Sequence, residues 1–345
     1  MTLIYFIIVL GVVVTIHEFG HFIFAKKSGI YVYEFSIGMG PKIFGWKRKN
    51  DETDYSIRLF PIGGYVQMAG ESVDLDTDIP EEKRFQTKGW IPKALTVVAG
   101  VMFNFLLALV IFFTLALLIG APSLTPKIGK IAEDYPISKT NLQVGDTIIG
   151  LDNKHISSQD QLLVELQIRM GKTITLSVKH ENGQKENISI TPVKKTIDGK
   201  KAYQYGFSLN DTRNHGFIAA IKYAFLKVGS LLHQMVLIII YLFSGKLSLN
   251  SLSGPVGIFN LVGETAKTGI ANLVFLIGYI SVNVGFINLL PLPAFDGGRL
   301  LFLIIEKITG KPVPAKVENW IHTIGFVLLM ILMVYITWND IMRLI

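Results

Sequence analysis

The fold class this sequence predicts is a polytopic α-helical membrane protein with a hydrophilic, β-rich insert, and three observations predict it. Half of the 345 residues are apolar and only 17% are charged, which is too oily for a water-soluble chain of this length. Residues 3–25, 94–120, 271–295 and 321–338 form runs that reach or approach the roughly 20 apolar residues needed to cross a ~30 Å hydrocarbon core. Between the second and third runs the chain turns polar, with short alternating segments punctuated by Asn, Gly and Asp. Four transmembrane helices and one inserted domain are therefore expected.

The elements follow in chain order. The run at 3–25 lacks the charged start and small-residue cleavage site of a signal peptide, so it is expected to remain as the first transmembrane helix. A loop of β character at 30–93 leads to the second helix, 94–120, which has no formal charge; together they make the first part of the membrane domain, 1–120. Within 125–212, "KIGKIAED", "DTIIGLDN" and "TITLSVKHENGQKENISITPV" read as strands, with "ENGQ" as a hairpin turn. One helix, 158–170, is expected to begin after Ser157 or Ser158 as N-cap. In the region 213–270, residues 217–243 are apolar enough to span but are interrupted by Lys222, Lys227, His233 and Gln234; an amphipathic helix lying on the membrane is the competing reading. The second part of the membrane domain, 271–345, holds a third transmembrane stretch over 271–305 and a fourth over 321–338.

The formal charge of +7 does not point to nucleic acid, because no basic stripe with interleaved aromatics is present. The lysines read instead as markers of topology. With no cysteine in the chain, thiol catalysis, disulfides and thiolate metal ligands are excluded, and any metal must be held by His, Asp or Glu.

The first helix contains "HEFGH", placing His17 and His21 four apart on one helix face with Glu18 beside them. This is the spacing at which two histidines hold zinc and the glutamate acts as general base. A chance pentapeptide, or histidines satisfied by neighbouring helices, is the bland alternative. Its weight falls in a membrane segment, where each ionisable residue costs on the order of 2.5–3.5 kcal/mol and needs a compensating partner. Catalytic zinc takes three protein ligands. The candidate third is Asp296, the only acid of the third run, although a helix-capping role is the other reading of "DGG". Pro291 and Pro293 must break or kink the helix before it, and irregular backbone at membrane depth is tolerated where it lines a cavity. Asn283 and Asn288 are candidates for lining that cavity or binding substrate, with interhelical hydrogen bonding as the alternative.

Depth gives a separate check. Lys26 and Lys27 mark the inner end of the first helix; His17 lies nine residues before Lys26 and Asp296 ten before Glu306, so at ~1.5 Å per residue both sit roughly 15 Å from the inner surface. They match only if both helices run outside to inside. That places the N-terminus and the 125–212 domain outside, 26–93 inside, and 217–243 on or dipping into the outer surface. The remaining histidines, 155, 180, 215, 233 and 322, show no ligand spacing and are expected in surface or packing roles.

"HEFGH", "FSIGMGPKIFG", "FPIGGYVQMAGE", "SGPVGI" and "NLLPLPAFDGGRL", in this order, resemble the site-2 protease family of intramembrane zinc metalloproteases, more closely its bacterial subfamily of the regulator-of-sigma-E protease type. The resemblance implies that His17, His21 and Asp296 bind Zn2+ and that Glu18 is the base. It also implies that 125–212, through "LQVGDTIIGLDNKHISS", is a single extracytoplasmic PDZ domain, and that 52–69 is a membrane re-entrant β-hairpin on the cytoplasmic side whose edge at Gly63, Gly64, Tyr65 and Val66 holds an unwound substrate. The implied setting is the bacterial plasma membrane and its lipid bilayer. The implied partners are single-pass membrane proteins, such as anti-sigma factors or signal-peptide remnants. Val101 and Phe295 depart from the family's usual Pro and Leu, and "TNLQVGD" from its usual "AGL". A non-catalytic PDZ scaffold with a structural metal, or an ion transporter using the intramembrane His and Asp as a relay, are the competing functions.

Overall fold

The computed structural model describes residues 1–71, 78–197 and 200–343. It resolves into two units, Met1–Ile111 with Leu249–Ile345, and Phe112–Ser248.

The first unit opens with α1 (Thr2–Lys27), a single helix long and apolar enough to cross a membrane, in which the helix satisfies the backbone groups of the apolar run internally. It closes at Gly29, where the Ile30 N–H bonds back to Ala25 O at 2.9 Å. Lys26, in the last turn, pairs with Asp51 at 2.8 Å and Glu52 at 2.6 Å. Two long antiparallel strands follow, β1 (Val32–Lys47) and β2 (Asp54–Met68). Both bend, so that Ser36 has Tyr65 as partner on one side and Ser56 on the other. The hairpin is anchored by Phe35, Tyr55, Val66 and Met68, which pack with Ala25, Ile30 and Val32 at the end of α1. Beyond Gly64–Met68 no further strand pairs among the described residues, leaving one sheet edge open.

The next helix, α2 (Trp90–Ile119), begins in this unit and is tied to a later one at its start. The Trp90 indole donates to Leu303 O at 2.7 Å, and the buried Lys93 donates to both Glu306 oxygens at 2.7 and 2.9 Å.

The second unit contains the polar domain. It comprises β3 (Ala121–Pro122), β4 (Ile128–Ile131), β5 (Thr147–Leu151), β6 (Lys154–His155), α3 (Gln159–Ile168), β7 (Ile174–Lys179), β8 (Lys185–Ile190), β9 (Val193–Ile197), β10 (Lys200–Gln204), β11 (Phe207–Leu209), β12 (Arg213–Asn214) and α4 (Phe217–Phe243). Its main sheet has the order β6-β5-β7-β8, and β4 pairs with β11. Alternation along β7 turns Ile174, Leu176 and Val178 inward, and a register shift between Ile148 and Gly150 of β5 lets Ile148 and Leu151 join the same core with Leu162 of α3. Ser158 caps α3, its side chain accepting from Gln161 N at 3.2 Å, and "ENGQ" closes the β7–β8 hairpin through the His180 N–H to Gln184 O at 2.9 Å. The amphipathic α4 lays Lys227, Ser230 and Tyr241 against α3.

The first unit resumes with α5 (Pro255–Lys267), α6 (Ile270–Leu289), α7 (Asp296–Thr309) and α8 (Ala315–Met342). The stretch read from sequence as one span over 271–305 is two helices, broken over 290–295, where Pro291 and Pro293 remove two amide donors. Phe6, Val9 and Val13 of α1 pack with Val262, Leu273, Leu276 and Ile280 of α5 and α6. The buried Asp340 of α8 caps α5, its Oδ2 accepting from Gly254 N at 2.8 Å and Gly257 N at 2.7 Å. Among the described residues five helices are long and apolar enough to cross a membrane: α1, α2, α4, α6 and α8. That is one more than the four expected. The addition is α4, which meets the length and composition criteria despite its lysines.

Candidate metal centre

The site begins with a close helix crossing. A Cβ on Gly20 of α1 would stand 2.4 Å from Ala99 O of α2, and one on Gly100 would stand 2.4 Å from His21 Nε2. Only residues without a side chain let the two backbones approach this closely. The approach brings two α2 groups to the histidines: Thr96 O accepts from His21 Nδ1 at 2.8 Å, and the Asn104 amide lies 3.1 Å from His17 Nδ1. Asn104 is itself held by α6, since Ser281 Oγ donates to Asn104 O at 2.8 Å. With its Nδ1 proton given to Thr96, His21 presents a bare lone pair at Nε2. The Asn104 group facing His17 Nδ1 is its Nδ2, so a metal at His17 Nε2 would require the amide turned over, its oxygen accepting from Nδ1–H.

Asp296 arrives from α7. A Cβ on Gly297 would fall 2.2 Å from Leu290 O and one on Gly298 2.3 Å from Leu292 O, so the two glycines let the carbonyls of the broken segment fold over the first turn of the helix. Its Oδ2 lies 3.0 Å from His17 Nε2 and 3.4 Å from His21 Nε2, and the two Nε2 atoms are 3.2 Å apart. Oδ2 is buried, and no hydrogen bond satisfies it among the described residues. Three atoms able to offer a lone pair thus converge within 3.4 Å of one another, a set that a cation would join. The fit to zinc is testable from these separations. Four ligands at about 2.0–2.1 Å in a tetrahedron lie about 3.3 Å from one another, close to the observed edges.

Glu18 does not join this trio. It lines the same cavity, of 640 Å³, beside Tyr65 and Val66 of β2, and an added Cβ on Gly64 would touch its Cγ at 3.5 Å. Asn288 lines the cavity as well. Asn283 is turned away, donating to Tyr279 O of its own helix at 2.7 Å, so the two asparagines read alike from sequence are separated by the fold. Gly63 lies outside the lining, against Met39. His322, expected in a surface or packing role, instead lines the cavity together with Arg299, which pairs with Glu71. Thr96 and His322 carry no signal of their own in the chain. Only the small-residue step at Ala99–Gly100 and a lone Asn in an otherwise hydrocarbon helix mark α2 as special.

At the edge of the cavity, Glu34 bonds to Ser56, Tyr65 and Arg58. These bonds outweigh the burial that would push its carboxyl up and hold it below the ordinary range.

The profile of Peptidase family M50 matches residues 5–332. The chain belongs to peptidase family M50. The zinc metalloproteases RasP of Geobacillus kaustophilus and Oceanobacillus iheyensis are each 31% identical, covering 99% of this chain and 98% and 99% of their own. A relative from Clostridium acetobutylicum is 35% identical over 335 residues, covering 97% of this chain and 96% of its own. The RasP alignments run over 417 and 430 positions, so those relatives carry residues that this M50 member lacks. Among solved structures, the PDZ domain of an SdrC-like protein from Listeria innocua matches 26% of this chain and 99% of its own at 23% identity, with a TM-score of 0.22.

Proposed function

We propose that this peptidase is a zinc endopeptidase of the bacterial plasma membrane, cutting within the transmembrane segments of single-pass membrane proteins. The observation that carries the reading is the convergence of His17 Nε2, His21 Nε2 and Asp296 Oδ2 inside a helical bundle, with Glu18 beside them in one cavity. His17, His21 and Asp296 would hold the metal. Bound zinc supplies Lewis acidity to the scissile carbonyl and lowers the pKa of water to about 7.

The chain's own groups do the rest. Glu18 takes a proton from the attacking water as the new C–O bond forms, and returns it to the amide nitrogen as the C–N bond breaks. Thr96 O keeps the His21 imidazole in the orientation that leaves Nε2 free, and Asn104, with its amide oxygen brought to Nδ1, would do the same for His17. The open edge of β2 at Gly64–Val66 takes a stretch of substrate as an added strand, which exposes carbonyls that a helix would keep bonded. In this reading β1 and β2 form a hairpin that re-enters the membrane from the cytoplasmic side, and Gly63, Gly64, Tyr65, Val66 and Asn288 meet the substrate. Asn283, bonded within its helix, drops out of that set.

Four crossings, by α1, α2, the broken α6–α7 pair and α8, accord with the common depth of His17 and Asp296. The α4 helix then lies on the outer surface, which is supported by its use of Lys227, Ser230 and Tyr241 on the polar α3. The β-rich domain is a PDZ domain that admits substrates whose outer part has been trimmed, such as cleaved anti-sigma factors or signal-peptide remnants. A scaffold with a structural metal would have no use for Glu18.

The test is cleavage of a trimmed single-pass substrate by purified protein in detergent, with products located by mass spectrometry. Wild type is expected to cut inside the hydrophobic segment and to stop when a chelator is added. Chelator-resistant cleavage, or cuts confined to the flanking loops, would sink the assignment.

A further inference from the structure

The broken segment that delivers Asp296 is short of internal bonds. Of its residues 291–295, Pro291 and Pro293 have no amide hydrogen, Leu292 N bonds to Leu290 O at 2.7 Å, and Phe295 N bonds to Leu292 O at 3.3 Å. Ala294 is left, and its backbone stands at φ 71, the left-handed region in which an alanine is strained. Its N–H donates to His322 Nδ1 of α8 at 2.9 Å. Two further contacts fix α8 at this place. The His322 ring meets Phe302 of α7 edge-on with centroids 5.5 Å apart, and Gly325, one turn on, sits so close to Pro293 that an added Cβ would lie 2.2 Å from the ring's Cβ.

We propose that His322 is a positioning residue for the metal centre: by accepting the Ala294 amide it holds the strained 290–295 segment, and through it the Asp296 carboxylate, in register with His17 and His21. This rests on the zinc-peptidase reading given above. A strained, non-glycine residue two positions before a ligand persists only if its surroundings over-determine it, and His322 with Gly325 are what α8 brings there. Because Ala294 is the donor, Nδ1 must be the unprotonated nitrogen, so neutral His322 carries its hydrogen on Nε2. The residue thus acts on the metal without touching it, from a helix that supplies no ligand.

The experiment is zinc titration of the metal-stripped full-length protein in detergent against a chromophoric chelator, together with the visible spectrum of the cobalt-loaded protein. Wild type must bind about one equivalent; if it binds none, the zinc reading itself fails and His322 is not at issue. His322→Leu, which has no acceptor, is expected to weaken affinity roughly 10- to 100-fold and to alter the cobalt spectrum, as loss of outer-shell support does. His322→Asn, whose Oδ1 takes the place of Nδ1, is expected to stay within a few-fold of wild type. A His322→Leu protein with wild-type affinity and spectrum overturns the proposal, as does a His322→Asn protein as weak as the leucine variant. Gly325→Ala keeps the histidine but drives Pro293 away, and is expected to weaken zinc as well. Should His322→Leu fail to fold, unchanged affinity in Gly325→Ala overturns the proposal by itself.

Discussion

Two helices of this chain carry ionisable groups among hydrocarbon, and they treat them in opposite ways. On α4, Lys227 donates to Asp160 Oδ1 at 2.7 Å, Ser230 donates to Asp160 Oδ2 at 2.7 Å, and the Tyr241 hydroxyl donates to Glu165. On α1, His17 and His21 turn their Nε2 atoms toward Asp296 Oδ2, at 3.0 and 3.4 Å. The first cluster is closed: every donor meets an acceptor. The second is open, three potential metal ligands around one point. Both would register from sequence as charge in an apolar helix, yet the first is architecture and the second is chemistry.

The comparison breaks most visibly if the open cluster proves closed. Asp296→Ala and His21→Ala are each expected to take bound zinc from about one equivalent to nearly none and to abolish cleavage, since a three-ligand site does not survive on two. Elemental analysis of the purified variants checks this, and a full complement of zinc in either would mean that the metal sits elsewhere. Next in size is Glu18→Gln, expected to keep the metal while slowing cleavage by about 10²- to 10⁴-fold, the usual worth of a positioned base. Loss of zinc together with activity would make Glu18 a ligand.

The closed cluster should respond differently. Lys227→Met strands the Asp160 carboxylate and is expected to cost about 3–5 kcal/mol in the stability of the Phe112–Ser248 unit, whereas Lys227→Met with Asp160→Leu should recover most of it. Chemical denaturation followed by a probe on α3 measures both, and a double variant no better than the single one would give the pair a role beyond packing.

The smallest effect belongs to His180, whose Nδ1 is 2.9 Å from Asp146 and whose Nε2 is 3.2 Å from Glu186. The bonds to Asp146 and then Glu186 hold the imidazolium above its ordinary pKa of 6.5. A raised folded pKa adds stability that is complete below 6.5 and is lost as pH rises through the higher folded value. The β-rich unit should therefore melt lower as pH climbs above 6.5, and His180→Gln should flatten that slope. A slope unchanged by the substitution would assign the pH dependence to other groups.

Much of this was legible in the chain, for identifiable reasons. An i, i+4 pair is a local code, so "HEFGH" announces a shared face without any knowledge of tertiary structure. Asp296 was legible because an acid is conspicuous in hydrocarbon, and the break before it because proline cannot donate. The family motifs supplied the rest of the expected site. What stayed hidden depends on contacts between distant elements. Thr96 acts through a backbone carbonyl, which no side-chain pattern encodes, and Gly100 acts by what it lacks. His322 gained its place only when Gly325 let α8 close on Pro293. Asn283 and Asn288 were equivalent in the sequence, and helix rotation alone separated them. Hydropathy likewise does not decide between a spanning and a surface α4, because the composition that buries a face in lipid also buries it on a neighbouring domain.

The donors of the metal centre stand near opposite ends of the chain, and Asp340, which closes the start of α5, comes later still. On the zinc-peptidase reading the "HEFGH" helix is made first, without its carboxylate and without α8 beside the segment that bears it. The site would then be complete only once the last helices are in place, and a chain cut short before Asp296 would have no cutting power.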